Sequence, residues 1–246
     1  MRTRMALSEP VTIDSDVSSL DFEKGEMILV DKPLDWTSFD VVHRVRDLFH
    51  VKKVGHAGTL DPKATGLLIL CTGKRTKEID LYSGREKEYE GVMQLGATTA
   101  SLDSETPQVD VRDYSSVTED ALRSVFRAHV GLQMQMPPMY SAVKHSGKPL
   151  YKYARKGKSF DRPPREVSVS EFELLKFDLP FVHFRVVCSK GTYIRTLVDQ
   201  CGQELGCGAF LYELRRTRIG DLSLSGALDL DALYSLSQRR AKLRLQ

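Results

Sequence analysis

The chain has 246 residues, of which 41% are hydrophobic and 28% are charged, and its formal net charge at pH 7 is +3. This balance is typical of a globular protein with a buried core. No apolar run reaches the length of a membrane span, and the N-terminal stretch lacks the apolar core of a secretory signal. The small positive charge permits a nucleic-acid partner without requiring one.

The first half of the chain predicts alternating strands and helices. Residues 1 to about 24 are polar and lack a hydrophobic period, which predicts a flexible N-terminal extension. The predicted elements after it are, in order, the strand EMILVDK, a helix from a Ser38 cap to about His50, the buried strand GLLILC, a short helix TKEIDLY, and the strand KEYEGVMQLG with Tyr89, Gly91, Met93 and Leu95 on one face.

The second half predicts a hairpin between helices. In order, the predicted elements are a helix over Glu119–Ala128 capped by Thr118, the adjacent strands VSVSEFELLKF and VHFRVVCS, a helix TYIRTLVDQCGQELG ended by Gly206, the strand AFLYELRRTRIG, and a last helix capped by Asp229. Strands and helices alternate irregularly, so we expect a mixed α/β (α+β) fold with a mostly antiparallel or mixed central sheet flanked by helices.

The four cysteines do not form a metal-binding pattern. Cys71, Cys188, Cys201 and Cys207 contain no C-x-x-C pair, and the last two are six residues apart, which is not a usual zinc spacing. We therefore expect reduced, buried thiols, no bound metal and a cytoplasmic location.

A glycine-rich stretch, GHAGTLDPKATG from Gly55 to Gly66, carries a single carboxylate, Asp61. It matches neither the phosphate-binding P-loop nor the dinucleotide fingerprint, because the required glycine and lysine spacings are absent. On residue types alone, an aspartate before proline in such a stretch is a turn residue.

The segment Lys144–Arg165 is strongly basic. It carries eight Lys or Arg residues against one acidic residue, Asp161, with Tyr151, Tyr153 and Phe160 between them. Positive charge attracts a phosphate backbone, and aromatic faces stack on exposed bases, so the segment is a candidate RNA-binding loop. A solvated loop is the alternative. The candidate backbone contacts are Lys144, Lys148, Lys152, Arg155 and Lys156.

Five blocks in a fixed order span roughly residues 26 to 236. They are VDKPLDWTSFDVV, KVGHAGTLDPKATGLLILCTGKRTK, KEYEGVMQLGATTASLDSET, QMPPMYSAVKHSGKPLYKYARKG and SKGTYIRTLVDQCGQELGCGAFLYELRRTRIG. Together they resemble the TruB family of tRNA pseudouridine-55 synthases of the bacterial type. The resemblance implies the pseudouridine synthase fold, with Lys144–Arg165 as an inserted loop that closes over the T loop of tRNA and orders on binding.

The resemblance also implies the reaction. Uridine 55 is flipped from the T loop, its N1–C1′ bond breaks, the uracil rotates, and C5 is joined to C1′. No cofactor is needed, because only a proton is exchanged. By resemblance Asp61 is the catalytic residue, acting either as a nucleophile at C1′ or as a base on the 2′ proton, and these alternatives stay open.

Further site residues follow from the resemblance. Arg195 is the expected counter-charge of Asp61. The other expected substrate contacts are Tyr89 stacking on the base, Tyr193 contacting the uracil, Leu214 in the pocket wall, His56 beside the flipped nucleotides and Lys32 supporting the active-site wall. Asp35 departs from the family, which commonly has glycine at this position.

The expected domains are a flexible extension over 1–24, a catalytic domain over 25–237 with the 144–165 insertion, and a basic tail over 238–246. Only 26 residues follow Gly220, so we expect no separate RNA-binding domain of the PUA type. The expected partner is the T arm of tRNA, bound by a monomer.

Two other functions are alternatives to the synthase. They are a catalytically silent RNA-folding chaperone and an Asp-dependent hydrolase or phosphotransferase. The second is disfavoured because the loop has no further acidic cluster to hold a metal.

Overall fold

The computed structural model describes residues 9–243. The strands are β1 (Met27–Lys32), β2 (Val54–Ala57), β3 (Ala64–Thr72), β4 (Lys87–Leu95), β5 (Thr98–Thr99), β6 (Gln108–Val109), β7 (Gly131–Gln135), β8 (Lys144–His145), β9 (Lys148–Pro149), β10 (Arg165–Asp178), β11 (Phe181–Cys188), β12 (Ala209–Ile219) and β13 (Leu222–Ser223). The α-helices are α1 (Ser38–Phe49), α2 (Ile79–Ser83, after a 3₁₀ turn over Gly73–Glu78), α3 (Glu119–Ala128), α4 (Tyr151–Ala154), α5 (Ile194–Glu204) and α6 (Leu230–Leu243).

The chain forms two compact units. The first comprises the described residues up to Arg85 and those from Arg216 onward, and the second comprises Glu86–Arg215. Strand β12 carries the chain from the second unit back into the first. None of the helices in residues 9–243 is long and apolar enough to cross a membrane.

In the first unit, β3 pairs antiparallel with both β1 and β2. Because strand side chains alternate between faces, neighbouring residues of β1 and β3 enter two separate cores. Ile28, Val30, Leu68 and Leu70 pack with α1 and α6, and Met27, Leu29, Leu67 and Ile69 pack on the opposite face with Tyr82 of α2. Both faces of these strands are therefore packed. The loop between β2 and β3, which contains Asp61, begins and ends next to buried strand residues.

In the second unit, the strand order is β4, β11, β10 and β7, and each neighbouring pair is antiparallel. The predicted hairpin is β10–β11. Helix α3 covers this sheet through Phe126, whose ring stacks on Phe172 with centroids 3.8 Å apart. Thr118 caps α3 and Asp229 caps α6, as predicted, and Gly206 follows α5 with a φ of 77°.

Two boundary predictions were wrong. Residues 9–24 do not form a flexible extension, because Val11, Val17 and Phe22 are buried in the core of the first unit and the Val11 amide donates to the Met27 carbonyl over 2.8 Å. The basic tail is helical as far as Leu243. Residues 1–8 and 244–246, which the same two predictions included, lie outside the described residues.

The predicted cap of α1 was displaced by one residue. Thr37 is the N-cap, and its hydroxyl accepts from the Asp40 amide over 3.1 Å while the Asp40 carboxylate accepts from the Thr37 amide. Ser38 is buried instead and bonds to Leu60. Both residues are good caps, so local preference could not choose between them.

Candidate active site

Asp61 lies in the connection between β2 and β3. The loop turns through Gly58 and Gly66, whose φ values are 87° and 100°, a region that favours glycine. The Ala64 amide donates to the Asp61 carbonyl over 3.1 Å and closes a turn around Pro62. Asp61 is half-buried. Asp61 therefore lies in a tight turn between two strands that contain buried residues.

Lys32, which the resemblance places in the active-site wall, lies beside this turn. Its side chain is fully buried, and its ammonium donates to the carbonyls of Trp36 over 2.6 Å, Pro33 over 2.8 Å and Pro62 over 3.4 Å. Burial lowers the Lys32 pKa to about 8, and the negative charges of Asp61 and Asp35 oppose part of this shift. Lys32 thus connects the main chain at Pro33 and Trp36 with the main chain at Pro62, which follows Asp61.

Asp35 occupies a left-handed turn beside the Asp61 loop. Its φ is 63°, the left-handed conformation in which glycine is unstrained and aspartate is tolerated. The Asp35 amide donates to the Pro62 carbonyl over 2.9 Å, and its carboxylate accepts from Lys63 over 2.7 Å. Asp35 therefore forms the turn at a position where the resemblance implied glycine, and it adds an exposed ion pair to the Asp61 loop.

His56 lies on β2, five residues before Asp61. Its ring meets Phe39 edge-on, with centroids 5.6 Å apart, and Phe39 is 64% exposed. Burial, and then the positive charge of Arg216, lowers the pKa of His56 below its usual range, which favours the neutral ring. Its buried Nδ1 has no hydrogen-bond partner within residues 9–243. A neutral ring beside an exposed aromatic is suited to stacking rather than to charge pairing.

Arg195 is the second residue of α5 and is 4% exposed. Its guanidinium donates to the carbonyls of Ser101 over 2.9 Å and Tyr140 over 2.8 Å, and its Nε lies 3.6 Å from an oxygen of Asp103. Asp103 is equally buried, and the attraction between the two opposite charges offsets part of the cost of removing both from water. Sequence reasoning missed this carboxylate. Asp103 lies within the third block, but its burial cannot be read from the sequence.

The remaining predicted contacts of the second unit lie on β4, α5 and β12. Tyr89 is 8% exposed on β4, and Leu214 is half-buried on β12. Tyr193 precedes α5, and its backbone is fixed by the fully buried Gln135, whose amide group accepts from the Tyr193 amide over 2.7 Å and donates to the Tyr193 carbonyl over 3.1 Å. Gln135 is a second residue that sequence reasoning missed. It orients the main chain from which Tyr193 and Arg195 project.

The basic segment Lys144–Arg165 has local structure. It forms the β8–β9 hairpin and the single-turn helix α4, and Leu150 anchors it at 2% exposure. Its aromatic rings contact one another, since His145 stacks on Phe160 at 4.2 Å and Tyr153 meets Phe160 edge-on at 5.0 Å. The five candidate cations, Lys144, Lys148, Lys152, Arg155 and Lys156, are all exposed. The segment thus presents positive charge on a small aromatic core.

The described part of the chain has no group of three or more His, Cys, Asp or Glu residues that could hold a metal ion. The four cysteines are free and buried, as expected.

Comparison with known proteins identifies the family. The model of the TruB family pseudouridylate synthase N-terminal domain matches residues 46–194, and that of the tRNA pseudouridylate synthase B C-terminal domain matches residues 195–244. The tRNA pseudouridine synthase B of Chlorobaculum tepidum is 46% identical over 94% of this chain and 98% of that protein. The Chlorobium chlorochromatii protein of the same name is 49% identical over 84% of this chain and 83% of its own length.

Solved structures agree on the fold. A chain of the archaeal box H/ACA sRNP Nop10–Cbf5 complex has a TM-score of 0.69 and 26% identity, over 98% of this chain and 63% of that one. A chain of an H/ACA RNP bound to a substrate RNA containing 2′-deoxyuridine has a TM-score of 0.66 and 27% identity, over 90% of this chain and 56% of that one. The predicted pseudouridine synthase fold is confirmed. The chain belongs to the TruB family and is a tRNA pseudouridine synthase, an isomerase that acts on RNA.

Proposed function

We propose that Asp61 catalyses the conversion of uridine 55 in the T loop of tRNA to pseudouridine. The observation that carries this proposal is the position of Asp61 at the tip of a tight turn whose main chain is bonded to buried side chains on both sides. A carboxylate fixed in this way is suited to attack C1′ or to remove the 2′ proton, since either step needs an ionised group at a set distance from the ribose. The reaction breaks N1–C1′, forms C5–C1′, and moves one proton from C5 to solvent and one to N1.

The other site residues have supporting roles in this proposal. Arg195 provides positive charge for the catalytic carboxylate, Tyr89 stacks on the uracil, and Tyr193 contacts it. Leu214 contributes an apolar wall. His56 stacks beside the flipped nucleotides, which its neutral ring and exposed neighbour Phe39 support.

The T arm is the proposed partner of the basic segment. Its exposed cations suit a phosphate backbone. We further propose a monomer that works in the cytoplasm, where its four free thiols would stay reduced, and that needs no metal or cofactor. Light scattering at assay concentration tests the monomer. Dialysis against EDTA before the assay, which should leave the rate unchanged, tests the metal.

The decisive experiment is tritium release from tRNA labelled at uracil C5, because C5 must lose its hydrogen as the new bond forms. Asp61→Asn keeps the shape and removes the charge, so we expect no release while the tRNA Kd stays within about threefold of the unmodified protein. Asp47→Asn, the same substitution at an exposed position of α1, is the matched control and should retain full activity. Substantial turnover by Asp61→Asn would exclude Asp61 as the catalyst.

A further inference from the structure

Arg216, on β12, is a buried cation whose hydrogen bonds surround the Asp61 loop. Its side chain is 1% exposed, which is rare for arginine. Its Nε donates to the Leu67 carbonyl over 2.8 Å, and one terminal nitrogen donates to the Gly58 carbonyl over 2.9 Å. The other terminal nitrogen lies 3.5 Å from the Thr59 carbonyl. One planar guanidinium therefore joins the start of the loop, just after β2, to strand β3 beyond it.

The loop backbone also lies directly on Arg216. A Cβ placed on Gly66 would come within 2.3 Å of the Arg216 carbonyl oxygen, so a side chain at this position would require the backbone to move. Gly66 thus permits the close approach, and the guanidinium fixes it. Because the fork of an arginine is rigid, its donors set the separation between the carbonyls of Gly58 and Leu67 more tightly than a lysine would.

Ser38 holds the residue immediately before Asp61. Its side chain is 1% exposed, and its hydroxyl accepts from the Leu60 amide over 2.9 Å and lies 3.2 Å from the Leu60 carbonyl. Ser38 is the first residue of α1, a helix anchored in the core by Val41, Val42 and Val45. The hydroxyl therefore connects the peptide before Asp61 to a rigid element.

We propose that Arg216 and Ser38 are positioning residues for the isomerisation. Their side chains hydrogen-bond to main-chain atoms of residues 58, 59, 60 and 67, in the loop and at the start of β3, and set where the Asp61 carboxylate lies relative to the ribose. This inference rests on the proposed role of Asp61. A displacement of about 1 Å in such a group costs on the order of 100-fold in rate.

The test uses single-turnover tritium release with enzyme in excess over tRNA. For Arg216→Lys, which keeps the charge and loses the fork, we expect the rate constant to fall about 100-fold. For Ser38→Ala we expect a fall of at least about tenfold, with the tRNA Kd within about threefold for both. At saturating enzyme the rate constant does not depend on the fraction of molecules that are folded. A general folding defect therefore raises only the enzyme concentration needed for saturation, whereas a displaced Asp61 lowers the rate constant at saturation.

Matched controls come from the same unit. Arg218→Lys alters an arginine on the same strand that donates to the Gly220 carbonyl, and Ser237→Ala removes a buried hydroxyl that donates to the Tyr234 carbonyl. Both should keep the rate constant within about twofold. If Arg216→Lys does not fold at the assay temperature, Ser38→Ala decides alone.

Unchanged rate constants in the folded variants, or losses explained entirely by the tRNA Kd, would overturn the inference. Asp61→Asn, measured in parallel, separates this result from the proposed function. If Asp61→Asn is inactive and the positioning variants are fully active, the function stands and the inference fails. If Asp61→Asn is active, the proposed function itself fails.

Discussion

At the scale of single residues, the resemblance predicted the side chains that contact the substrate but not the residues that support them. Lys32, which the resemblance places in the active-site wall, donates to three carbonyls beside the Asp61 turn. Asp103, Gln135 and Arg216 were not singled out, and Ser38 was singled out only as a helix cap. Each acts through burial and through contacts with residues distant in the chain, and neither property has a local sequence signal. An aspartate, a glutamine, a serine or an arginine would look the same on an exposed surface.

Lys32 gives a prediction on pH. Its pKa in the folded protein is about 8, against 10.5 for the ordinary side chain. Between these values the unfolded chain binds more protons, so the free energy of unfolding should rise with pH through this window, by at most about 3 kcal/mol from this group. Lys32→Met lacks the titration. Urea unfolding of both proteins at pH 7 to 10.5 should show the unmodified protein gaining stability relative to the variant, and parallel curves would contradict the lowered pKa.

At the scale of elements, periodic segments were predictable and weakly patterned ones were not. The β10–β11 hairpin and helix α3 carry strong apolar alternation or a clear cap, and both were predicted. Residues 9–24 were misread because their buried side chains, Val11, Val17 and Phe22, are five or six residues apart among polar neighbours. That spacing fits neither a helix nor a strand, so only the tertiary contacts with the core show the packing.

Strand β7 was missed for a related reason. Gly131–Gln135 alternates apolar and polar residues, but Leu132 and Met134 are exposed and Gln135 is fully buried. The alternation is therefore inverted relative to the usual rule, because Gln135 is needed to bond the Tyr193 backbone. The inverted alternation of β7 thus serves to bury Gln135 against the backbone of Tyr193, one of the proposed substrate contacts.

The basic segment carries a prediction about salt. Arg155 is already paired with Glu105 over 2.7 Å, so the more informative triple variant is Lys148→Gln, Lys152→Gln and Lys156→Gln. If these cations bind phosphates, removing each lysine–phosphate pair should reduce the slope of log K against log salt by about 0.7 to 0.9. Filter binding to tRNA across a salt series measures the slope.

The control for this prediction has the same change in charge elsewhere in the second unit. Arg123→Gln, Arg127→Gln and Lys176→Gln alter exposed cations of α3 and β10, and this triple variant should leave the slope near that of the unmodified protein. An equal reduction in both variants would mean that net charge, rather than the basic segment, determines binding. If neither triple variant changes the slope, the basic segment does not bind phosphates and is a solvated loop.

At the scale of the whole molecule, the C-terminal cations belong to the fold. Arg239 donates to the carbonyls of Ile13 and Ser15, and Arg240 donates to that of Phe49 over 3.1 Å while its guanidinium lies 4.9 Å from the centre of the Phe22 ring. These two arginines connect α6 to the N-terminal residues and to the end of α1. Arg239 and Arg240 are therefore part of the folded structure, although the sequence alone predicted that they belong to a basic tail.

The T arm as substrate gives the last prediction. The proposed contacts with the flipped nucleotide, and the basic segment, all address the T loop and its stem, so an isolated T-arm hairpin should contain most of what the enzyme recognises. We expect its kcat/KM to lie within about tenfold of that for full-length tRNA, a difference of about 1.4 kcal/mol in transition-state binding. Tritium release from both RNAs at one salt concentration measures the ratio, and a hairpin of the anticodon arm serves as the inactive control. A reduction of about 100-fold or more on the T-arm hairpin would mean that the enzyme gains roughly 2.7 kcal/mol or more from tRNA outside the T arm.

The triple lysine variant then shows whether the basic segment makes these additional contacts. If the basic segment binds tRNA outside the T arm, the variant should lose activity on full-length tRNA and keep it on the hairpin, whereas equal reductions on both RNAs would place its contacts on the T arm.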